Sequence, residues 1–273
     1  MTTFHVRHDF SPIVAREAML LLRMASAADE QGFLDQARAH DFELGRRQSL
    51  AKVFASLRDL GLLARSTRDA PLVLTPLGER LAALALRDEL LLAELIHLRY
   101  CWLWTPEHGG EGFAWAYQAV AGLLWDEAPT SIDSDRLVAT IITGAEDVFH
   151  VKGASFSPSS VLGIMHWLRA LSPPCIIAGA FRQRPSCTPE ALLLTLEAIA
   201  AVSGRPAGTA LRLDAATRRR ACRTLLIDGD AFDEVLDHLE EMGGLLRRAS
   251  DGGETVLLLN SPLPGLVPQR SSR

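Results

Sequence analysis

Apolar residues along this chain recur mainly at i, i+3, i+4 and i+7, with little strict alternation, and that period predicts a mostly helical protein. Ser11-Pro12 opens the first helix, with serine as cap and proline in the first turn, and Ile13, Met19, Leu20 and Leu22 to Met24 continue it. A second helix is expected over Glu30 to Ala39. A third begins near Arg46 and stops at Gly61. "LLARS", the polar turn "TRDAP" and "LVLT" then read as two short strands of a hairpin, and "PLGERLAALALR" from Pro76 as a closing helix. Residues 88–150 form a different segment that contains Tyr100, Trp102, Trp104, Trp115, Tyr117 and Trp125. In it the loop "TPEHGGEG" joins two helical runs, and Pro129 to Asp135 is a candidate linker. Beyond it come a helix leading into "PPCIIAG", a helix over 189–202, a break at "GRPAG", and a final helix, helix, turn and strand over 214–260.

One apolar spacing, i, i+3, i+4, i+7, i+10, occurs in three of these helices. The first set is Leu50, Val53, Phe54, Leu57 and Leu60. The second is Val161, Ile164, Met165, Leu168 and Leu171. The third is Phe232, Val235, Leu236, Leu239 and Met242. The first and third helices end in glycine, then run into an Arg-bearing strand ("LGLLARS", "MGGLLRRAS"), a polar turn and a return strand. The order helix, glycine stop, strand, turn, strand therefore occurs twice, which points to an internal repeat. The middle copy runs into "SPPCII" and shows no hairpin signal, so it reads as degenerate or coincidental.

The stretch "RRQSLAKVFASLRDLGLLAR", followed by "LVLTPLGERLA", resembles a winged-helix domain, the DNA-binding helix-turn-helix variant with a β-hairpin wing. The resemblance covers residues 12–87, and 214–260 is similar in outline. It implies a mostly α chain of tandem winged-helix-like modules joined by a helical, aromatic-rich central region. The units expected are an N-terminal winged helix over 1–87, a central helical module over 88–150 and a C-terminal winged-helix-like module over 151–273. "VLGIMHWLRAL" and "LTPLGERL" also resemble uncharacterised families found near DNA-modification genes.

A recognition helix buries one stripe and leads into the major groove with its N-terminal end. With the Leu50 stripe buried, Arg46, Arg47, Gln48, Ser49, Lys52, Ser56 and Asp59 face outward. Arg and Gln suit base edges, Ser and Lys suit phosphate, and the helix N-terminus itself favours phosphate. Arg65 and Arg68 flank the wing turn. Leu44 to Arg68 holds six basic residues and one acid, Asp59, in a chain of net charge -5. The expected DNA-binding residues are therefore Arg46, Arg47, Gln48, Ser49, Lys52, Ser56, Arg65 and Arg68; the alternative is a solvated basic face. The later helix has the opposite character: Asp228 to Glu241 carries seven acids and no Lys or Arg. Asp230, Asp233, Glu234, Asp237 and Glu241 are its candidate partner-binding residues. The neighbouring Arg218 to Arg220 and Arg223 are expected to pair with these acids, or to form a second phosphate-contacting patch.

Composition narrows the chemistry. The 273 residues are 48% hydrophobic, enough for a sizeable core. No apolar run reaches the length of a membrane span, and "MTTFHVRHDFSP" lacks the apolar run of a signal peptide, so a soluble cytoplasmic protein is expected. Cys101, Cys175, Cys187 and Cys222 lie far apart, which favours scattered buried thiols. His97 and Cys101 sit at i, i+4 near Glu107 and His108, but no second pair at ligand spacing accompanies them, so no metal is expected. GxGxxG, P-loop, GxSxG and HExxH motifs are absent. The aromatic segment suggests base stacking, but no basic residue occurs between Arg99 and Arg136, so its rings read as core. The expectation is a non-catalytic binder of double-stranded DNA without cofactor. It would be the DNA-contacting subunit of a bacterial DNA-acting or anti-phage defence complex, or a transcription regulator. Its C-terminal module would bind a protein partner or a second copy. The alternative is a protein–protein adaptor whose basic helix docks an acidic partner without DNA.

Overall fold

The computed structural model describes residues 4–24, 30–64, 72–205, 210–242, 246–251 and 254–259. It is mostly helical, with short strands, as the period of the apolar residues predicts. α1 (Pro12–Met24) opens with the Ser11 hydroxyl accepting the Val14 N–H at 3.4 Å. α2 (Glu30–Ala39) also follows the sequence reading. The third helix does not begin at Arg46. The chain makes a single 3-10 turn over Glu43–Arg46, turns extended at Arg47, and enters α3 only at Ala51, running to Asp59. Glu30, from the start of α2, supplies the cap. Its carboxylate accepts the Leu50 N–H and, at 2.7 Å, the Ser49 hydroxyl, so an acid meets the positive end of the helix. Just after α3 lies Gly61, whose φ of +70° is left-handed.

A minimal hairpin follows, with Leu63 opposite Leu74 and the Ala64 N–H donating to the Val73 carbonyl at 2.8 Å. Arg65, Arg68 and the whole of the expected wing turn lie outside the described residues. α4 (Pro76–Ala85) is capped by Thr75, which accepts the Gly78 N–H at 3.1 Å.

Beyond the next helix lies the short antiparallel pair β1 (Trp104–Thr105) and β2 (Gly109–Gly110), and the same order then recurs twice, each time with a strand after the first helix. The second unit is α6 (Gly112–Asp126), β3 (Thr130–Ser131), α7 (Ser134–Phe149), α8 (Pro158–Ala170), β4 (Ile176–Ile177) and β5 (Ala180–Phe181), with β5 between β3 and β4. The middle copy thus has a hairpin that the sequence reading lacked. Its strands are two residues long, and Ala178 and Gly179 both take positive φ in place of an Asn-Gly signal. Its sheet joins residues on both sides of position 150. The third unit is α9 (Pro189–Val202), β6 (Ala210–Arg212), α10 (Ala215–Leu225), α11 (Gly229–Glu241), β7 (Leu246–Asp251) and β8 (Glu254–Leu259), again with the last strand central. α3, α8 and α11 occupy equivalent places, and every residue of their shared stripe is buried except Met242.

α5 (Glu89–Trp102) ties the units together. It is buried continuously from Leu92 to Trp102 and packs on α1, α4, α6, α8, α9 and α10. A helix buried all round must satisfy its polar side chains internally. Arg99 Nε donates to the Leu60 carbonyl at the end of α3, at 2.8 Å. His97 Nε2 faces the Thr224 carbonyl of α10 at 2.7 Å, and Nδ1 faces the Tyr117 hydroxyl of α6 at 2.8 Å. Since a carbonyl only accepts, the proton sits on Nε2. Glu94 forms a buried ion pair with Arg184 and accepts the Thr188 hydroxyl at 2.7 Å, beside the first turn of α9. Arg184 also donates to the carbonyls of Pro173, Ser172 and Leu225. One helix thereby grips the end of α3, the middle unit and α10.

Candidate nucleic-acid interface

The basic face expected on a long third helix is divided between the 3-10 turn, an extended link and the first turn of α3. Arg46, Gln48, Ser49 and Lys52 are exposed, and Arg47 is half-buried. Lys52 remains 70% exposed at its side chain while its ammonium meets Asp9 Oδ2 at 3.1 Å. Arg47 lies 4.0 Å from the same carboxylate. Lys52 and the neighbouring cations hold Asp9 below the usual carboxylate range, against the opposing effect of its burial. Arg7 reaches from the N-terminal segment to Asp59.

Two expectations need correction. Ser56 does not face outward: it is 4% exposed, donates to the Lys52 carbonyl at 3.0 Å, and is touched by Arg7 Nη1 at 3.4 Å. It sits three residues after Val53 and two after Phe54, on the edge of the buried stripe. Ser49 is exposed, but its hydroxyl is spent on Glu30 and on the Ala51 N–H. The start of α3 is therefore already occupied by the Glu30 carboxylate and does not offer an open phosphate site.

The acidic helix is satisfied differently. Asp228 caps α11 by accepting the Ala231 N–H at 2.7 Å. Asp233 pairs with Arg218 at 2.5 Å, and Arg248 of β7 joins Asp237 and Glu240. Asp230, Glu234 and Glu241 are exposed and form no salt bridge among the described residues. Of the arginine cluster only Arg218 pairs with α11. Arg219 and Arg223 share Asp126 at 2.8 and 3.1 Å, and Arg220 takes Glu107 with two bonds, at 2.8 and 3.1 Å.

Of the residues considered for metal chemistry, His97 and Cys101 are buried in α5, Glu107 pairs with Arg220, and His108 is exposed. Burial lowers His97 to about 4, so it is neutral in its hydrogen-bonded slot. Burial pushes the Cys101 thiol up to about 12, and all four cysteines are buried and free. Among the described residues, no three His, Cys, Asp or Glu side chains converge as metal ligands, and no helix is long and apolar enough to cross a membrane. Sequence reasoning missed Asp9, Glu30, Glu94 and Arg184; each acts on a partner at least 20 residues away in sequence.

No family model and no curated protein matches this sequence. The fold is similar to that of SspB. A magnesium ion-bound SspB crystal structure superposes with a TM-score of 0.61 at 14% identity, covering 93% of this chain and 83% of that one. A second SspB crystal structure gives 0.57 at 15% identity with the same coverage. The likeness to SspB extends over all three units, and at these identities it concerns the fold alone.

Proposed function

We propose that this chain is a non-catalytic binder of double-stranded DNA. In this reading the first and third units are winged helices, and the first contacts the duplex through Arg46, Arg47, Gln48 and Lys52, with Arg65 and Arg68 as further candidates from their sequence positions. The observation that carries it is the exposure, at the leading end of a third helix, of a cluster of long basic and amide side chains in a chain that is acidic overall. Ser49 supports that end through Glu30 and the Ala51 N–H, while Ser56 is buried farther along α3. A phosphate would be met by side chains, since Glu30 holds the helix start. The chain would act as the DNA-contacting subunit of a bacterial DNA-acting or defence complex, or as a transcription regulator, with α11 turned toward a protein.

A second reading, an adaptor without DNA contact, draws on Asp9 and Glu30. These acids already offset part of the basic face, which then suits a weakly acidic protein surface. A mobility-shift titration of a random-sequence duplex separates the two. Arg46→Glu/Lys52→Glu reverses the two exposed cations of the face among the described residues. The DNA reading expects a low-salt shift whose midpoint this variant raises by roughly two orders of magnitude. An unshifted duplex with the native protein, or an unchanged midpoint in the variant, sends the assignment to the adaptor.

A further inference from the structure

A cleft of about 390 Å3 opens between the end of α5, the loop carrying β1 (Trp104–Thr105), α6 and α10. Its volume falls within the roughly 300–1,000 Å3 range of small-molecule sites. Indole rings and guanidinium groups meet there. Trp102 and Trp104 line it from one side, and Arg219, Arg220 and Arg223 from the other. The arginines are held in place. Arg220 lies over the Trp102 ring at 5.5 Å while gripping Glu107, and Arg219 lies over Trp125 at 5.7 Å while bonded to Asp126.

Two further features define the walls of the cleft. The first is the Trp102 indole N–H: the residue is 4% exposed, and this N–H has no hydrogen-bond acceptor among the described residues. A buried donor left unmade is costly, so the ring that walls this side of the cleft is held by packing and by the Arg220 guanidinium rather than by a hydrogen bond of its own. The second is Gly122 on α6. A Cβ there would sit 2.2 Å from Arg223 Nη2, so the missing side chain is what lets this guanidinium lie against the helix at the mouth of the cleft. Three arginines against Asp126 and Glu107 leave one positive charge in excess. A guanidinium carries five N–H donors, and the bonds to the two carboxylates use one or two of each set. The remainder can fork onto a phosphate.

We infer that this cleft binds a single nucleotide, with its base against Trp104 and its phosphate on Arg219 and Arg223. The site lies apart from the α3 face and does not depend on the DNA reading. The nucleotide has two possible sources with the same chemistry, a free mononucleotide or the 5′-phosphorylated end of a strand.

Calorimetry and tryptophan fluorescence on the full chain test this with adenosine 5′-monophosphate, adenosine, inorganic phosphate and a 5′-phosphorylated single-stranded oligonucleotide. The monophosphate should bind, with adenosine and inorganic phosphate each weaker by roughly tenfold or more. Gly122→Ala should weaken it by a similar factor through the displaced Arg223, and a better helix former at that position should not lower the melting temperature. Arg219→Ala/Arg223→Ala, at side chains in contact with solvent, repeats the test if Gly122→Ala fails to fold. Arg46→Glu/Lys52→Glu should leave the affinity unchanged. Tighter binding of the mononucleotide identifies a free ligand, and tighter binding of the oligonucleotide identifies a strand end. Absence of binding by every probe, equal affinity for inorganic phosphate and the nucleotide, or full affinity in both pocket variants would overturn the proposal.

Discussion

α3 and α11 occupy the same place in their units, carry the same apolar spacing, and present opposite charge. Arg46, Arg47, Gln48 and Lys52 surround the start of one; Asp230, Glu234 and Glu241 stand out from the other. The buried stripe specifies the unit, because it must fill the space between two helices and a hairpin. The outward residues carry none of that constraint and are free to differ. Even within one chain, then, a repeated fold does not fix the charge that its surface presents. The two regions also differ in how their charge is supported. Two of the acids of α11 lean on Arg248 of the following strand and a third on Arg218. The cations of α3 lean on Asp9, from the segment before α1.

The comparison breaks most severely if α5 no longer holds both regions. Glu94→Gln leaves Arg184 buried without its carboxylate and should cost about 3–5 kcal/mol. Urea unfolding should show one transition, lost together at α3 and α11; two separated transitions would make the regions independent. A smaller loss comes with acid. Unfolded His97 takes up its proton below about 6.5, whereas the folded ring stays neutral down to about 4. The unfolded state therefore gains protons first, and stability present at neutral pH drains away between those values, by roughly 3 kcal/mol. Denaturation midpoints at pH 7 and pH 5 should show this slope, and His97→Gln should flatten it. On function, Arg46→Glu/Lys52→Glu should weaken duplex binding by roughly two orders of magnitude at low salt. Glu234→Lys/Glu241→Lys on α11 should not weaken it, and anisotropy reads both. The smallest effect belongs to Ser56→Ala. Its loss should cost about 1 kcal/mol in stability and leave DNA affinity where it was.

Helix positions and the repeat were legible because a buried stripe must recur with the helical period. The start of α3 was misread because charge was taken as part of the helix, while the stripe itself begins only at Leu50. The middle hairpin escaped because strands of two residues have no alternation to read. Long-range polar pairs left no trace. The aromatic segment lacks basic residues of its own, yet α10 brings Arg219, Arg220 and Arg223 to its rings from about a hundred positions away. Asp126 and Glu107, not the acids of α11, hold these three arginines, because chain folding places α10 on α6.

The most direct measurement is the salt dependence of duplex affinity for the native chain and the two charge-reversed variants. Each phosphate contact adds about 0.9 to the magnitude of the slope of log K against log salt. A DNA-binding first unit gives a steep slope that falls by about two in Arg46→Glu/Lys52→Glu and stays unchanged in Glu234→Lys/Glu241→Lys. A slope that is flat in the native chain, or that falls only when α11 is altered, would contradict it.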